Sequence, residues 1–347
     1  MTSRSKSIDI LKTIGIITIM LSHSRGLPYF VNYFRNYEVI LLVMVSGMLY
    51  KDVEDCSFSW KYVRKRLNRI VIPTWAFLVI FLVVLFVASI VLHMPFPYSK
   101  RDIIESFTMT NGIGYVWIML VYCLISMGLP MIWNNYNKLR KSNKQIFFYT
   151  VGVGIWAVYE IARRYLSGFS ADILPAYVLK NTVLYFVSYS IIAWIGSFLG
   201  RKKAIVSLLI GFALTIVHFV IACLLFYATK APVVLSTLKY PPSVIYVMYG
   251  MGVGLIIIGI VRLACEKELT QSMIITFISK ESQWIYFNHI YMIFIWNQVV
   301  ERDNWIFSFL FYVVGSVLLT WIQVTLVKAL FANRSNGFSR FMIRTFC

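Results

Sequence analysis

Long apolar runs separated by short polar connectors make up most of the chain. They fall near residues 8–26, 37–51, 72–94, 113–133, 146–162, 182–200, 204–227, 243–262, 282–299 and 305–330. Most come close to the ~20 residues that an α-helix needs to cross a bilayer, and the second is the short one. The pattern therefore predicts an all-α, polytopic integral membrane protein with about ten transmembrane helices. SFSWKYVRKRLNRIVIP (57–73) clusters its charges before the run opened by Pro73, and it reads as an interfacial helix feeding the third span. A second amphipathic piece, 266–281, precedes the span over 282–299. Three connectors, 94–115, 163–177 and 228–243, are rich in Pro and aromatic residues. Such loops either shape a binding site or merely connect. No internal repeat or low-complexity stretch divides the sequence, so one transmembrane domain over 1–347 is expected.

Composition agrees with the pattern. The 347 residues are 59% hydrophobic and only 14% charged, with a mean hydropathy of +0.74, which excludes a water-soluble globule. A net charge of +19 raises the question of a nucleic-acid partner. The placement of the basic residues answers it: with the N-terminus inside, about twice as many Lys and Arg fall on the cytoplasmic side as on the other. Both termini are accordingly expected in the cytoplasm of a multi-pass inner (cytoplasmic) membrane protein. No nucleic-acid partner is expected. The first apolar run has no small-residue cleavage site and is expected to stay in the mature protein. Cys56, Cys123, Cys223, Cys265 and Cys347 form no paired motif, so free thiols and no metal site are expected.

Candidate chemistry begins in the first run, where Lys12 and His23 stand eleven residues apart. On a helix that is about three turns plus 20°, so the two share a face roughly 16 Å apart along the axis. An ionisable group at that depth costs on the order of 3 kcal/mol, and function is its usual justification. Asp9 lies one turn before Lys12 and is placed to pair with it. In SQWIYFNHIY, Ser282, Tyr286 and His289 are spaced to line one helical face, which lipid cannot satisfy. His93 and His218 lie in settings that suit structural roles. Arg66 and Arg69, at i and i+3, present guanidinium forks suited to phosphate oxygens, although lipid headgroups make the same demand. Ser46-Gly47 allows helix backbones to approach closely. Glu38 and Glu160 are the remaining carboxylates at membrane depth, either of which could orient a histidine. A general base together with a cationic phosphate site permits acyl transfer from a thioester.

These motifs, in this order, resemble the membrane acyltransferase-3 family. The resemblance rests on Lys12 through His23 within I-D-x-x-K, on Ser46-Gly47, on Arg66-x-x-Arg69 before Pro73, on Ser282, Tyr286 and His289, and on Trp117 opening a central helix. The chain departs in having Lys for the commoner Arg at position 12, and Ile, Leu and Val for a Phe-rich stretch before Ser46. The opening looks most like the sugar O-acetyltransferase branch, including fucose-acetylase-like members. The resemblance implies transfer of an acetyl group from acetyl-CoA to a cell-envelope saccharide or its lipid-linked precursor. It implies His23 as general base or transient acyl carrier, with Tyr286 and His289 as positioning groups beside it. Lys12, Arg66 and Arg69 become the donor site, and Glu38, Trp117 and Ser282 become substrate-binding candidates. The competing readings are a transporter or flippase for envelope glycans and a catalytically silent sensor. Absence of a repeat and the basic residues near His23 favour the enzyme.

Overall fold

The computed structural model describes residues 5–50, 59–167, 177–200, 202–266, 272–301, 304–334 and 336–347. Among the described residues the regular structure is helical, with no strand. In chain order the helices are α1 (Lys6–Ser22), α2 (Tyr29–Phe34), α3 (Glu38–Leu49), α4 (Trp60–Val91), α5 (Lys100–Phe107), α6 (Trp117–Lys141) and α7 (Gln145–Ser167). They continue with α8 (Leu184–Leu199), α9 (Ala204–Thr229), α10 (Val244–Cys265), α11 (Met273–Lys280), α12 (Ser282–Val299), α13 (Trp305–Phe331) and α14 (Gly337–Phe346). A π-helical turn, Leu179–Val183, leads into α8.

Seven of the described helices are long and apolar enough to cross a membrane. Of the other expected crossings, α1 has 17 residues and α3 has 12, while α12 has 18 but carries Asn288 and His289 mid-helix. What sets α3 and α12 apart is burial. Apart from Ser46 and Leu49 every residue of α3 is buried, and α12 is buried without a break from Trp284 to Ile290. A helix enclosed by protein can be short or polar where a lipid-facing one cannot.

The charged segment ending at Pro73 is not a separate interfacial helix, because α4 runs unbroken through it from Trp60 to Val91. Proline removes one backbone donor, but in a membrane helix neighbouring groups compensate. Next to the Arg69 carbonyl that Pro73 leaves without its donor, the Ile70 carbonyl accepts from the Thr74 hydroxyl at 2.6 Å and from Gln283 Nε2 at 3.2 Å, which braces the same turn. The amphipathic piece before α12 is represented by the short α11, and residues 267–271 lie outside the described set.

The chain divides into two compact units. The larger comprises Met1–Ser22, Leu27–Phe58 and Met127–Lys280. Within it α3 packs on α8, α1 on α3 and α11, and α9 on α10. Ser46-Gly47 makes the α3–α8 crossing tight. A Cβ on Gly47 would lie 1.8 Å from the Ala193 carbonyl oxygen, and one on Gly196 would lie 2.5 Å from Met44 Cα. Small residues let two backbones meet here, as they do at many membrane helix crossings.

The smaller unit comprises His23–Gly26, Ser59–Ser126 and Glu281–Cys347. Its centre is an aromatic ladder between α4 and α12. Phe77 stacks on Phe287 at 4.7 Å between ring centres, and Phe81 meets Tyr291 and Phe294 at 5.2 and 5.1 Å. The C-terminal α14 closes on this core: Trp284 Nε1 donates to the Thr345 carbonyl at 2.8 Å and Gln323 Nε2 to the Phe346 carbonyl at 3.0 Å.

Candidate active site

At roughly 100° per residue, α12 presents three faces. Phe287, Tyr291 and Phe294 share the face set against α4. Asn288 serves a second, donating to Thr320 Oγ1 at 2.9 Å and Gln323 Oε1 at 3.2 Å on α13. Those contacts fix the rotation of the helix. Ser282, Tyr286 and His289 share the third face, as their spacing predicts.

His23 joins that third face. The helix expected to run to residue 26 stops at Ser22, and His23 stands in the turn just beyond it. Gly26, with φ of 72°, allows the turn, and Arg25 Nη1 reaches the Val300 carbonyl at 3.5 Å, at the end of α12. The imidazole rings of His23 and His289 have their centres 5.4 Å apart. Tyr115 lies edge-on to His23 at 5.1 Å and to His289 at 6.4 Å, and Tyr286 is 4.8 Å from His289.

The hydrogen bonds assign a tautomer. His289 Nδ1 bonds the Tyr286 carbonyl oxygen, which can only accept, so Nδ1 carries the proton and Nε2 the lone pair. That Nε2 is fully buried and has no hydrogen-bond partner among the described residues. The Tyr286 hydroxyl donates to the Tyr115 carbonyl oxygen, which ties the loop before α6 to α12. Two imidazoles and two phenols thus line one spot. They offer a proton acceptor next to groups able to orient a reacting hydroxyl.

Tyr115 is the residue that sequence reasoning missed. Its loop, 94–115, stood out for Pro and aromatic content, but nothing in the sequence singles out this position. The loop is braced within itself. Ser99 and Asp102 form a capping box at the start of α5, holding the exposed Asp102 carboxyl below its ordinary pKa through the Ser99 hydroxyl and backbone N–H. The Ser106 hydroxyl accepts from Ile113 N at 2.9 Å, and Trp75 Nε1 donates to the Phe107 carbonyl at 2.9 Å. Trp117 opens α6 as expected and is half-buried.

A cationic group lies toward the start of α12. Arg66 is half-buried, and its Nε has no partner among the described residues. Arg69 stands within electrostatic range of Arg66, Arg344 and Glu281. Arg344, on α14, is a second residue that stands outside the candidates named from the sequence. Its position follows from the bond between Trp284 and Thr345, one residue on. Three guanidiniums against one carboxylate leave an excess of positive charge suited to phosphate. Glu281 precedes His289 by eight residues, so the cluster and the histidine are separated by roughly 12 Å along α12.

Lys12 and Glu38 belong to the larger unit. Lys12 Nζ donates to the Ser279 carbonyl, and the Ser279 hydroxyl donates to the buried Asp9 at 2.7 Å, so both charges help dock α11 on α1. Glu38 is fully buried and accepts from Lys239 Nζ at 2.6 Å and Arg35 Nη1 at 3.1 Å. Glu160 accepts from Arg163, Arg164 and the backbone of Val244. Among the described residues the contacts of both carboxylates are thus cations and backbone, with no histidine among them. His218 Nε2 is bonded to the Tyr33 hydroxyl at 2.8 Å and is fully buried. His93 follows α4 in a left-handed turn with φ of 52°.

A family model for an acyltransferase domain matches residues 5–324, nearly the whole chain. The chain belongs to the acyltransferase-3 family. The match takes in α1 to α12 and most of α13, and thus every residue of the histidine cluster, while α14 and Arg344 lie beyond it. No curated protein and no solved structure matched the chain. The protein is therefore a multi-pass membrane acyltransferase.

Proposed function

We propose that this acyltransferase moves an acetyl group from acetyl-CoA to a hydroxyl of a cell-envelope saccharide or its lipid-linked precursor, at the cytoplasmic membrane. The observation carrying the chemistry is the approach of His23 to His289, at 5.4 Å, beside two tyrosines. A hydroxyl attacks a thioester well only when a base removes its proton as the new bond forms. His23 takes that proton while the acceptor oxygen bonds the acetyl carbonyl carbon. The resulting tetrahedral species collapses, the carbon–sulfur bond breaks, and the leaving thiolate recovers the proton from the imidazolium. His289 and Tyr286 position the reacting groups. Single-turnover kinetics separate this route from transient acetylation of His23, which would show a burst of released CoA before labelled product.

The donor's phosphates are assigned to Arg66, Arg69 and Arg344. Replacing Arg344 by Gln is expected to raise the KM for acetyl-CoA about 10-fold with little change in kcat, as loss of a charge-assisted contact made equally in ground and transition states does. An unchanged KM removes Arg344 from the donor site. The overall reading is tested with purified protein, acetyl-labelled acetyl-CoA and total envelope glycans. Labelled glycan is the expected product. Glycan binding with neither transfer nor hydrolysis of the thioester would favour the transporter or sensor instead.

A further inference from the structure

Away from the histidines, the larger unit buries a second set of polar groups. Glu38, 0% exposed, gives one oxygen, Oε1, to both Arg35 and Lys239. Its other oxygen, Oε2, is buried with no hydrogen-bond partner among the described residues. The same holds for Asn36 Oδ1 and for the hydroxyls of Tyr189 and Tyr246, two side chains 0% exposed. Tyr246 lies within electrostatic range of Glu38, Arg35 and Tyr240, and Tyr189 within range of Tyr246. Lys239 Nζ sits 5.5 Å over the ring of Tyr240, and Tyr185 lies 5.7 Å from Tyr189. Helices α3, α8 and α10 and the segment before α10 converge on this cluster.

Two requirements follow. Among the described residues Arg35 and Lys239 bring two positive charges against the one of Glu38, and the tyrosines around them are neutral, so the described part of the cluster holds an excess cation. Buried charge without a counter-charge is costly. Lys239 nonetheless stays charged: burial alone would lower its pKa, but the adjacent Glu38 carboxylate holds it above the ordinary lysine value. The second requirement concerns protons. Glu38 Oε2 and Asn36 Oδ1 are acceptors in need of donors, and an inorganic anion offers oxygens in place of them. The tyrosine hydroxyls both donate and accept. What completes the cluster therefore carries a negative charge together with several O–H groups.

From this we propose that Arg35, Glu38, Lys239, Tyr189 and Tyr246 form a binding site for an anionic saccharide, a sugar bearing a carboxylate or a phosphate. The acid pairs with Lys239 and Arg35, while sugar hydroxyls donate to Glu38 Oε2 and Asn36 Oδ1 and exchange bonds with the two phenols. The rings of Tyr185, Tyr189 and Tyr240 at this cluster suit the apolar face of a pyranose. The site stands on its own geometry and does not depend on the acyl-transfer reading.

The test is calorimetric titration of the full chain in lipid nanodiscs with glucuronate, glucose 6-phosphate, glucose and inorganic phosphate. Saturable binding of one or both sugar anions is expected, and which one binds identifies the acid. Binding should weaken about 10-fold or more in Lys239→Met and in Tyr246→Phe, as loss of a hydrogen bond to a charged ligand does. Tyr246→Phe controls for folding. It deletes a hydroxyl without a partner among the described residues, so the unfolding midpoint of the ligand-free protein should not fall. Several results overturn the site: no saturable binding of either sugar anion, equal binding of glucose or of inorganic phosphate, or affinities unchanged in both variants. A lowered midpoint in Tyr246→Phe with unchanged affinity overturns it too, by giving that hydroxyl a structural role.

Discussion

His23→Ala is expected to lower acetyl transfer by roughly 10²–10⁴-fold, the range that general acid–base catalysis contributes. The protein should remain folded, because His23 is half-buried in a turn and its neighbours on α12 are held by other contacts. The loss should fall on kcat, since the proton is taken only as the transition state forms. Tyr286→Phe makes a useful companion. It removes the hydroxyl that donates to the Tyr115 carbonyl while keeping the ring beside His289, so it should loosen the loop and cost less than His23→Ala. Measured with labelled acetyl-CoA in matched detergent, a His23→Ala enzyme within ten-fold of wild type would move the base elsewhere. His289, whose Nε2 carries a lone pair, would then be the first replacement to test.

The second large effect concerns folding. Gly47→Ala should destabilise the larger unit by about 3 kcal/mol, at the upper end of overpacking costs. The added methyl would meet the Ala193 carbonyl at 1.8 Å, and a backbone atom cannot swing aside as a side-chain tip can. α3 and α8 would have to separate, and Gly196, in contact with the Met44 backbone, would lose its own fit. Gly154→Ala on α7 is the control, since its new methyl meets nothing within 4 Å and alanine favours a helix more than glycine does. Denaturant titration of both variants in mixed micelles decides the matter. If Gly47→Ala unfolds with Gly154→Ala, the crossing is softer than its geometry states.

Much of the histidine cluster was legible in the sequence, for a physical reason. A polar side chain inside a membrane helix carries a desolvation cost, so Ser282, Tyr286 and His289 at helical spacing mark a face that must meet protein or water. Loops and distant partners carry no such signal. Tyr115 reaches the histidines through a connector whose path depends on the Ser106 and Trp75 bonds, and Arg344 reaches Arg69 because a backbone carbonyl of α14 accepts from Trp284. Lys12 illustrates the opposite case. It donates a hydrogen bond to the backbone of Ser279, 267 residues away, a contact that no local pattern encodes. The proline in α4 misled for a related reason: Pro73 reads as a boundary, but α4 continues through it, with the adjacent Ile70 carbonyl held by Thr74 and by the distant Gln283.

The enclosure of α12 also bears on how this sequence can drift. Of the 26 residues of α9, only Ala204, Ser207, Gly211 and His218 are buried, so most of its positions ask for little more than an apolar side chain, and neutral exchange there should be frequent. From Trp284 to Ile290, α12 has no permissive side, because one turn answers at once to stacked rings, an amide network and the imidazole. A new substrate preference acquired by point substitution would then arise first in the connectors around the site, with α12 as the part inherited nearly unchanged.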